Sequence, residues 1–155
     1  MAGLHLGDLS ITSPAFQHGS RIPDRHTAEG DDVSPELAWT DPPDGTRQFA
    51  VVCHDPDAPL TDGFTHWVIY GIPADATGIP EGGGGAHPEG VNDFGNEGYG
   101  GPAPPPGHGI HHYFFHLYAL SGEVDAGPGL SRAELLEKID PLILVQARIV
   151  GTFDR

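Results

Sequence analysis

The chain has 155 residues, 37% of them hydrophobic, with 23 glycines and 16 prolines. That length predicts one domain spanning residues 1–155 with a core of its own, and so much Gly and Pro argues for turns and ordered loops rather than a helical bundle. Asp and Glu number 22 against 7 Lys and Arg, a formal net charge of −15, which argues against a nucleic-acid partner whose phosphates would need neutralising. The acidity fits plain solubility first, then a salt-adapted source, and last the recognition of a basic partner. No apolar stretch approaches the roughly 18 to 20 residues of a membrane span. Met1–Ser10 lacks a basic start followed by an apolar run, so no signal peptide is expected. Cys53 is the only cysteine; it can form no internal disulfide, and a reducing, cytoplasmic location fits.

In chain order, the first strand candidate is Leu4–Ile11, where the apolar phase slips near Gly7-Asp8 and suggests a bulge. Phe49–His54 and Phe64–Ile72 follow, both rich in β-branched and aromatic residues between turn signals. Cys53 lies inside the first of these and reads as a small buried hydrophobe. Glu81–Gly109 is dense in Gly and Pro, like a linker, yet it contains Phe94, Tyr99 and the stiff Pro104-Pro105-Pro106. Cutting the chain there leaves halves too small for a comfortable core, so an ordered loop is expected. His112–Leu120 places Tyr113, Phe115, Leu117 and Ala119 on one face, with Phe114, Tyr118 and Leu120 on the other. A strand apolar on both faces belongs in the middle of a layered structure. Ser131 and Glu134 spell a capping box, with Leu130 and Leu135 spaced as a hydrophobic staple and Glu134 and Lys138 as an i,i+4 pair. Asp140-Pro141 ends that helix. Leu144–Phe153 reads as a last strand, although Leu142–Gln146 could extend the helix.

Two runs hold the residues able to do chemistry. The first is Asp55-Pro56-Asp57-Ala58-Pro59 with His66-Trp67 behind it, and the second is Gly101–Tyr113, ending in His108-Gly109-Ile110-His111-His112-Tyr113. Asp55 continues the face of Phe49, Val51 and Cys53 to its rim, and the two prolines stiffen the turn that holds Asp55 and Asp57. His66 shares a face with Phe64, Val68 and Tyr70 by two-residue alternation. His111 and Tyr113 share another face, from which His112 points away. If these strand ends are neighbours, Asp55, His66, His111 and Tyr113 converge on one pocket. Imidazole and phenol donors suit a small anion there. Asp55 would orient a histidine or receive a ligand amine.

Other motifs carry less. His108, His111, His112 and His116 resemble a metal cluster, but alternation divides His111 from His112 and His116, and no cysteine or carboxylate pair completes a set. Gly82–Gly85 lacks the Lys-Ser/Thr of a phosphate loop. Asp93-Phe94-Gly95 spells a kinase magnesium motif without any other kinase element. No serine sits in a nucleophile elbow.

The two runs, together with Val33-Ser34-Pro35-Glu36-Leu37-Ala38-Trp39 and His66-Trp67-Val68, give the chain its resemblance to a known family. It resembles the phosphatidylethanolamine-binding proteins, in their prokaryotic Raf kinase inhibitor-like branch, along nearly its whole length. The resemblance implies an all-β fold with minor α: a β-sandwich of antiparallel sheets with a short C-terminal helix. It implies a non-enzymatic protein whose pocket takes phosphate or phospholipid head groups, lined by Asp55, His66, Ala103, Pro105, His111 and Tyr113, with Asp57 and Trp67 supporting. No cofactor and no metal are implied. A homodimer and a protein partner are compatible with it, as is the alternative of a protein or protease inhibitor acting through the loop surface. Two positions depart from the family pattern. His112 stands where an Arg is usual, and Ala103 where some relatives carry Gly.

Overall fold

Alternation along the chain becomes the two faces of one central sheet. The computed structural model describes residues 7–155. Its strands are β1 (Ser10–Thr12), β2 (Leu37–Thr40), β3 (Gln48–Asp55), β4 (Phe64–Pro73), β5 (Gly78–Ile79), β6 (His111–Leu120) and β7 (Ile143–Phe153), with helix α1 (Arg132–Ile139) before the last. They form two antiparallel sheets, ordered β1-β2-β5 and β4-β3-β6-β7. This is the expected β-sandwich with one short helix.

The inner face of the larger sheet carries Phe49, Val51 and Cys53 from β3 and Phe115, Leu117 and Ala119 from β6. These pack against Ile11, Leu37 and Trp39 of the smaller sheet. The outer face carries Ala50, Val52, Val68, Tyr70, Tyr118 and Leu120, covered by Leu135 and Ile139 of α1. The middle strands β3 and β6 are therefore buried from both sides, which is why their sequences read as nearly continuous apolar runs.

Three boundaries differ from the sequence expectation. Residues 4–6 of the Leu4–Ile11 candidate lie outside the described residues; Gly7 and Asp8 form a bend, and the pairing described starts at Ser10. The phase slip there marks an approach to the strand rather than a bulge inside it. Helical character does not extend from Leu142 to Gln146. Asp140–Leu142 makes a single 3-10 turn, and β7 begins at Ile143. Strands β2 and β5, of four and two residues, are too short to show a period and were not expected.

The Gly- and Pro-rich segment is an ordered loop laid along β4. Tyr70 N donates to Pro88 O at 3.1 Å, Gly90 N to Val68 O at 2.7 Å and Gly100 N to His66 O at 2.9 Å. The loop thereby satisfies the outer edge of a strand that would otherwise offer unpaired amides to solvent. Within it, buried Asn92 accepts from Phe94 N and Asn96 N and donates to Gly98 O. Among the described residues no helix is long and apolar enough to cross a membrane.

The capping box of α1 closes in both directions: Glu134 N donates to Ser131 Oγ at 3.1 Å and Ser131 N to Glu134 Oε1 at 2.9 Å. Glu134 is thus engaged at the cap, and no ion pair forms between it and Lys138. Leu130 and Leu135 both pack in the outer core, as a staple requires. Replacing Ser131 by Ala is expected to cost about 1 kcal/mol, seen as a lower urea midpoint at unchanged m-value.

Candidate functional site

The site is organised by a break in register. Cys53 pairs with Trp67 and His54 with Thr65, so His66 is the extra residue of a β-bulge. A bulge re-aims the side chain it inserts. His66 turns to the same side as Phe64 and Asp55, while Val68 and Tyr70 face the helix. The expectation that Phe64, His66, Val68 and Tyr70 share one face is corrected accordingly: simple alternation does not survive the extra residue. The connection from β3 to β4 passes through Gly63, at φ 69°. A Cβ there would collide with the Asp55 carbonyl and lie 2.8 Å from His54 Nε2, so the turn beside Asp55 depends on glycine.

Asp55 and His111 form a buried pair, Oδ2 to Nδ1 at 2.6 Å, with both side chains 3% exposed. The second oxygen of Asp55 accepts from Asp57 N at 2.8 Å. The other ring nitrogen of His111 lies 2.7 Å from His108 Nδ1, making a line from Asp55 through His111 to His108. His66 Nδ1 is 2.7 Å from Gly100 O. A carbonyl only accepts, so the proton sits on Nδ1. Burial pushes the His66 ring below its ordinary value, which keeps it neutral with Nε2 as a lone pair. Tyr113 meets His66 edge-on at 5.1 Å between ring centroids. Burial, and then the Asp55 charge, raise its phenol well above the ordinary range, so it remains a donor.

Asp55, His66, Ala103, Pro105, His111 and Tyr113 are brought together around one cavity of about 210 Å³, with Ala58, Pro59, Leu60, Phe64, Phe94 and Pro104 completing its walls. Trp67 is not among them. Its ring faces the inter-sheet core edge-on to Tyr99, and its indole N–H donates to Glu89 Oε2 at 2.7 Å. Asp57 also stays outside the cavity, accepting from the His112 backbone N at 2.8 Å and ring Nδ1 at 2.7 Å. Burial pushes the Asp57 carboxyl up, but those His112 bonds outweigh it and hold the group below its usual range. His112 therefore faces away from the cavity and ties the proline turn to β6 at its rim.

Sequence reasoning missed three contributors. Phe94 packs against Phe64 and His66, with centroids at 4.6 and 5.7 Å. It belongs to the Asp93-Phe94-Gly95 triplet, whose Asp93 Oδ2 accepts from Thr65 N at 2.7 Å beside the bulge. The triplet is a structural clamp on β4. Leu60, for which the sequence offered no signal, lines the cavity and is 59% exposed. His108 was grouped with a metal lookalike. Its flanking glycines, Gly107 at φ 75° and Gly109 at φ 99°, were the available signal of a side chain placed by a special backbone. His116 lies on the outer face, stacked between Phe114 and Tyr118 at 5.7 and 6.2 Å. Among the described residues no three His, Cys, Asp or Glu side chains are grouped to hold a metal ion.

This architecture matches known proteins along nearly the whole chain. Residues 12–154 match the family described as phosphatidylethanolamine-binding protein, and the chain belongs to that family. A UPF0098 protein of Aquifex aeolicus is 44% identical, with 95% of this chain and 89% of that protein covered. The UPF0098 protein YbhB of Escherichia coli is 39% identical, with 94% and 99% covered. The crystal structure of E. coli YbcL, described as a member of the mammalian PEBP family, superposes with a TM-score of 0.90 at 32% identity, over 96% of this chain and 99% of that one.

The buried histidines give the fold a pH dependence. Burial lowers His66, His54 and His116 from the ordinary 6.5, the last to about 4 with help from Arg132 and Arg148. The unfolded chain takes up these protons first, so stability is full above pH 6.5 and falls as pH drops toward 4, by up to about 1.4 kcal/mol per pH unit for each such ring. Urea unfolding across that range is expected to show the decline. His116→Phe, which keeps a ring between Phe114 and Tyr118, is expected to flatten it.

Proposed function

We propose that the cavity binds a small anion, a phosphate or phosphorylated head group, and that the protein acts by binding rather than by catalysis. The observation that carries this reading is Tyr113. Its phenol is a protonated donor on a residue 1% exposed, it makes no hydrogen bond among the described residues, and it belongs to the cavity wall beside His66 and His111. The hydroxyl is not among the sealed, unpartnered polar atoms of the described residues, so it opens on the cavity and is placed to donate to an oxyanion there. Asp55 holds His111 in a fixed orientation at the same wall. A volume of about 210 Å³ accommodates a phosphoryl group with a short substituent.

The mouth is apolar. Leu60 and Phe94, both lining the cavity, are 59% and 47% exposed, which suits a head group carrying an apolar tail more than a free inorganic ion. Burial, and then Asp55, push the Cys53 thiol well above its usual range, leaving it inert. A cytoplasmic location is part of the proposal.

Titration of the chain with inorganic phosphate, followed by NMR, is expected to shift the signals of His66, His111 and Tyr113 saturably. Tyr113→Phe removes one hydroxyl from a charged hydrogen bond and is expected to weaken binding by about tenfold or more. A cavity that stays silent at tens of millimolar phosphate would sink the reading.

A further inference from the structure

We propose that the uncovered part of the outer sheet face, between Arg132 and Arg148, is a second ligand site that takes the carboxylate of a small organic acid with an apolar body. It lies across the central sheet from the cavity and stands apart from the anion-binding reading above.

Helix α1 covers only part of that face. Tyr118 and Leu120, at the end of β6, are buried beneath it with Val52 and Val68. Phe114 and His116, earlier in β6, are only partly covered, and Arg148, opposite His116 on β7, is exposed. Arg132, the first residue of α1, reaches the same strip from the helix side, near enough to act on His54, His116 and Tyr118.

In a chain of net charge −15, this strip collects cations that no carboxylate offsets. Arg21, Arg25 and Arg155 are each held by Asp or Glu. Arg132 and Arg148 have no such partner among the described residues, and residues 1–6 contain no Asp or Glu to supply one. Arg132 Nε is, moreover, the one buried side-chain polar atom among the described residues without a hydrogen-bond partner. Leaving a charged donor in that state is costly. Arg148 lies over the Phe114 ring at 5.4 Å, and His116 stacks between Phe114 and Tyr118. The other polar groups nearby are spoken for. The His54 ring is bonded to Thr65 Oγ1 at 3.0 Å and to the Asp62 backbone. Asp93, which acts on His54, accepts from Thr65 N. Burial, and then the two arginines, hold His116 down to about 4, so the guanidinium groups are the charges of the strip at neutral pH.

Two guanidinium groups beside an aromatic strip fit one carboxylate on an apolar body. A guanidinium fork turned onto a carboxylate bonds it through Nε and Nη together, which removes the deficit at Arg132. Phe114 offers the body a ring to pack on. The charge of the rest of the molecule argues for a small occupant: a nucleic acid or an anionic bilayer meets the acidic surface over its whole extent, whereas a monoanion meets only the strip.

Benzoate is the probe, with benzyl alcohol as its uncharged counterpart. Titration of the full chain at pH 7, followed by NMR, is expected to shift the His116 ring and the Arg132 and Arg148 side-chain signals saturably. Benzoate is expected to bind there at least tenfold more tightly than benzyl alcohol. Arg132→Gln and Arg148→Gln each remove a charged hydrogen bond and are each expected to weaken benzoate by about tenfold or more. The exposed Arg148 variant keeps the test decisive should the Arg132 variant fail to fold. Benzyl alcohol binding as tightly as benzoate, benzoate affinity untouched by both substitutions, or benzoate shifts confined to His66, His111 and Tyr113 overturns the second site and leaves the anion-binding reading standing. A sedimenting dimer that Arg148→Gln dissociates assigns the strip to the acidic surface of a second copy and overturns the small-acid occupant. Phosphate that stays silent at the cavity while benzoate shifts His116 overturns the anion-binding reading and leaves the second site standing.

Discussion

Asp55 ends β3 inside the protein, where a carboxyl group without partners would be costly to bury. One of its oxygens takes the His111 ring from β6, and the other takes the amide of Asp57 in its own turn. That double engagement joins the end of one middle strand to the start of the other and fixes the orientation of the His111 ring. Pro56 and Pro59 stiffen the turn, Gly63 lets it close against the Asp55 carbonyl, and the Asp57–His112 contact ties its outer side to β6. The remaining walls of the cavity stand on this corner.

Against that fixed corner, the bulge at His66 supplies the second element. An extra residue in β4 costs ladder bonds, and the long loop restores them. Asp93 takes the Thr65 amide, the Gly100 amide reaches His66 O, and the Gly100 carbonyl takes the His66 ring. The same segment that repairs the strand also brings Phe94, Ala103 and Pro105 to the cavity. Its richness in Gly and Pro reflects these close backbone approaches. At Gly100, for example, a Cβ would lie 2.5 Å from the Phe94 ring.

Much of the fold was legible because its signals are local. The alternation of Tyr113, Phe115, Leu117 and Ala119 predicted a strand buried on both faces, and β6 is one. Ser131 and Glu134 predicted a helix start that the structure reproduces bond for bond. Asp55, His111 and Tyr113 could be placed on one side because β3 and β6 run through these positions without a register break. Trp67, expected from the family resemblance only to support the site, turns its ring to the core behind it, since neighbours in a strand serve different environments.

The sequence by itself determined the strand periods, the capped helix and the stiff turns that end β3, because each depends on residues within a few positions of one another. Only the tertiary structure decided which way His66 points, that His108 occupies the second nitrogen of His111, and that Phe94 joins the cavity from a motif that spells something else. The bulge is defined against a partner strand and the loop contacts against residues tens of positions away, so no local period encodes them. The proton arrangement at the cavity is likewise a tertiary result. The Gly100 carbonyl, 34 residues from His66, is what places that ring's proton on Nδ1.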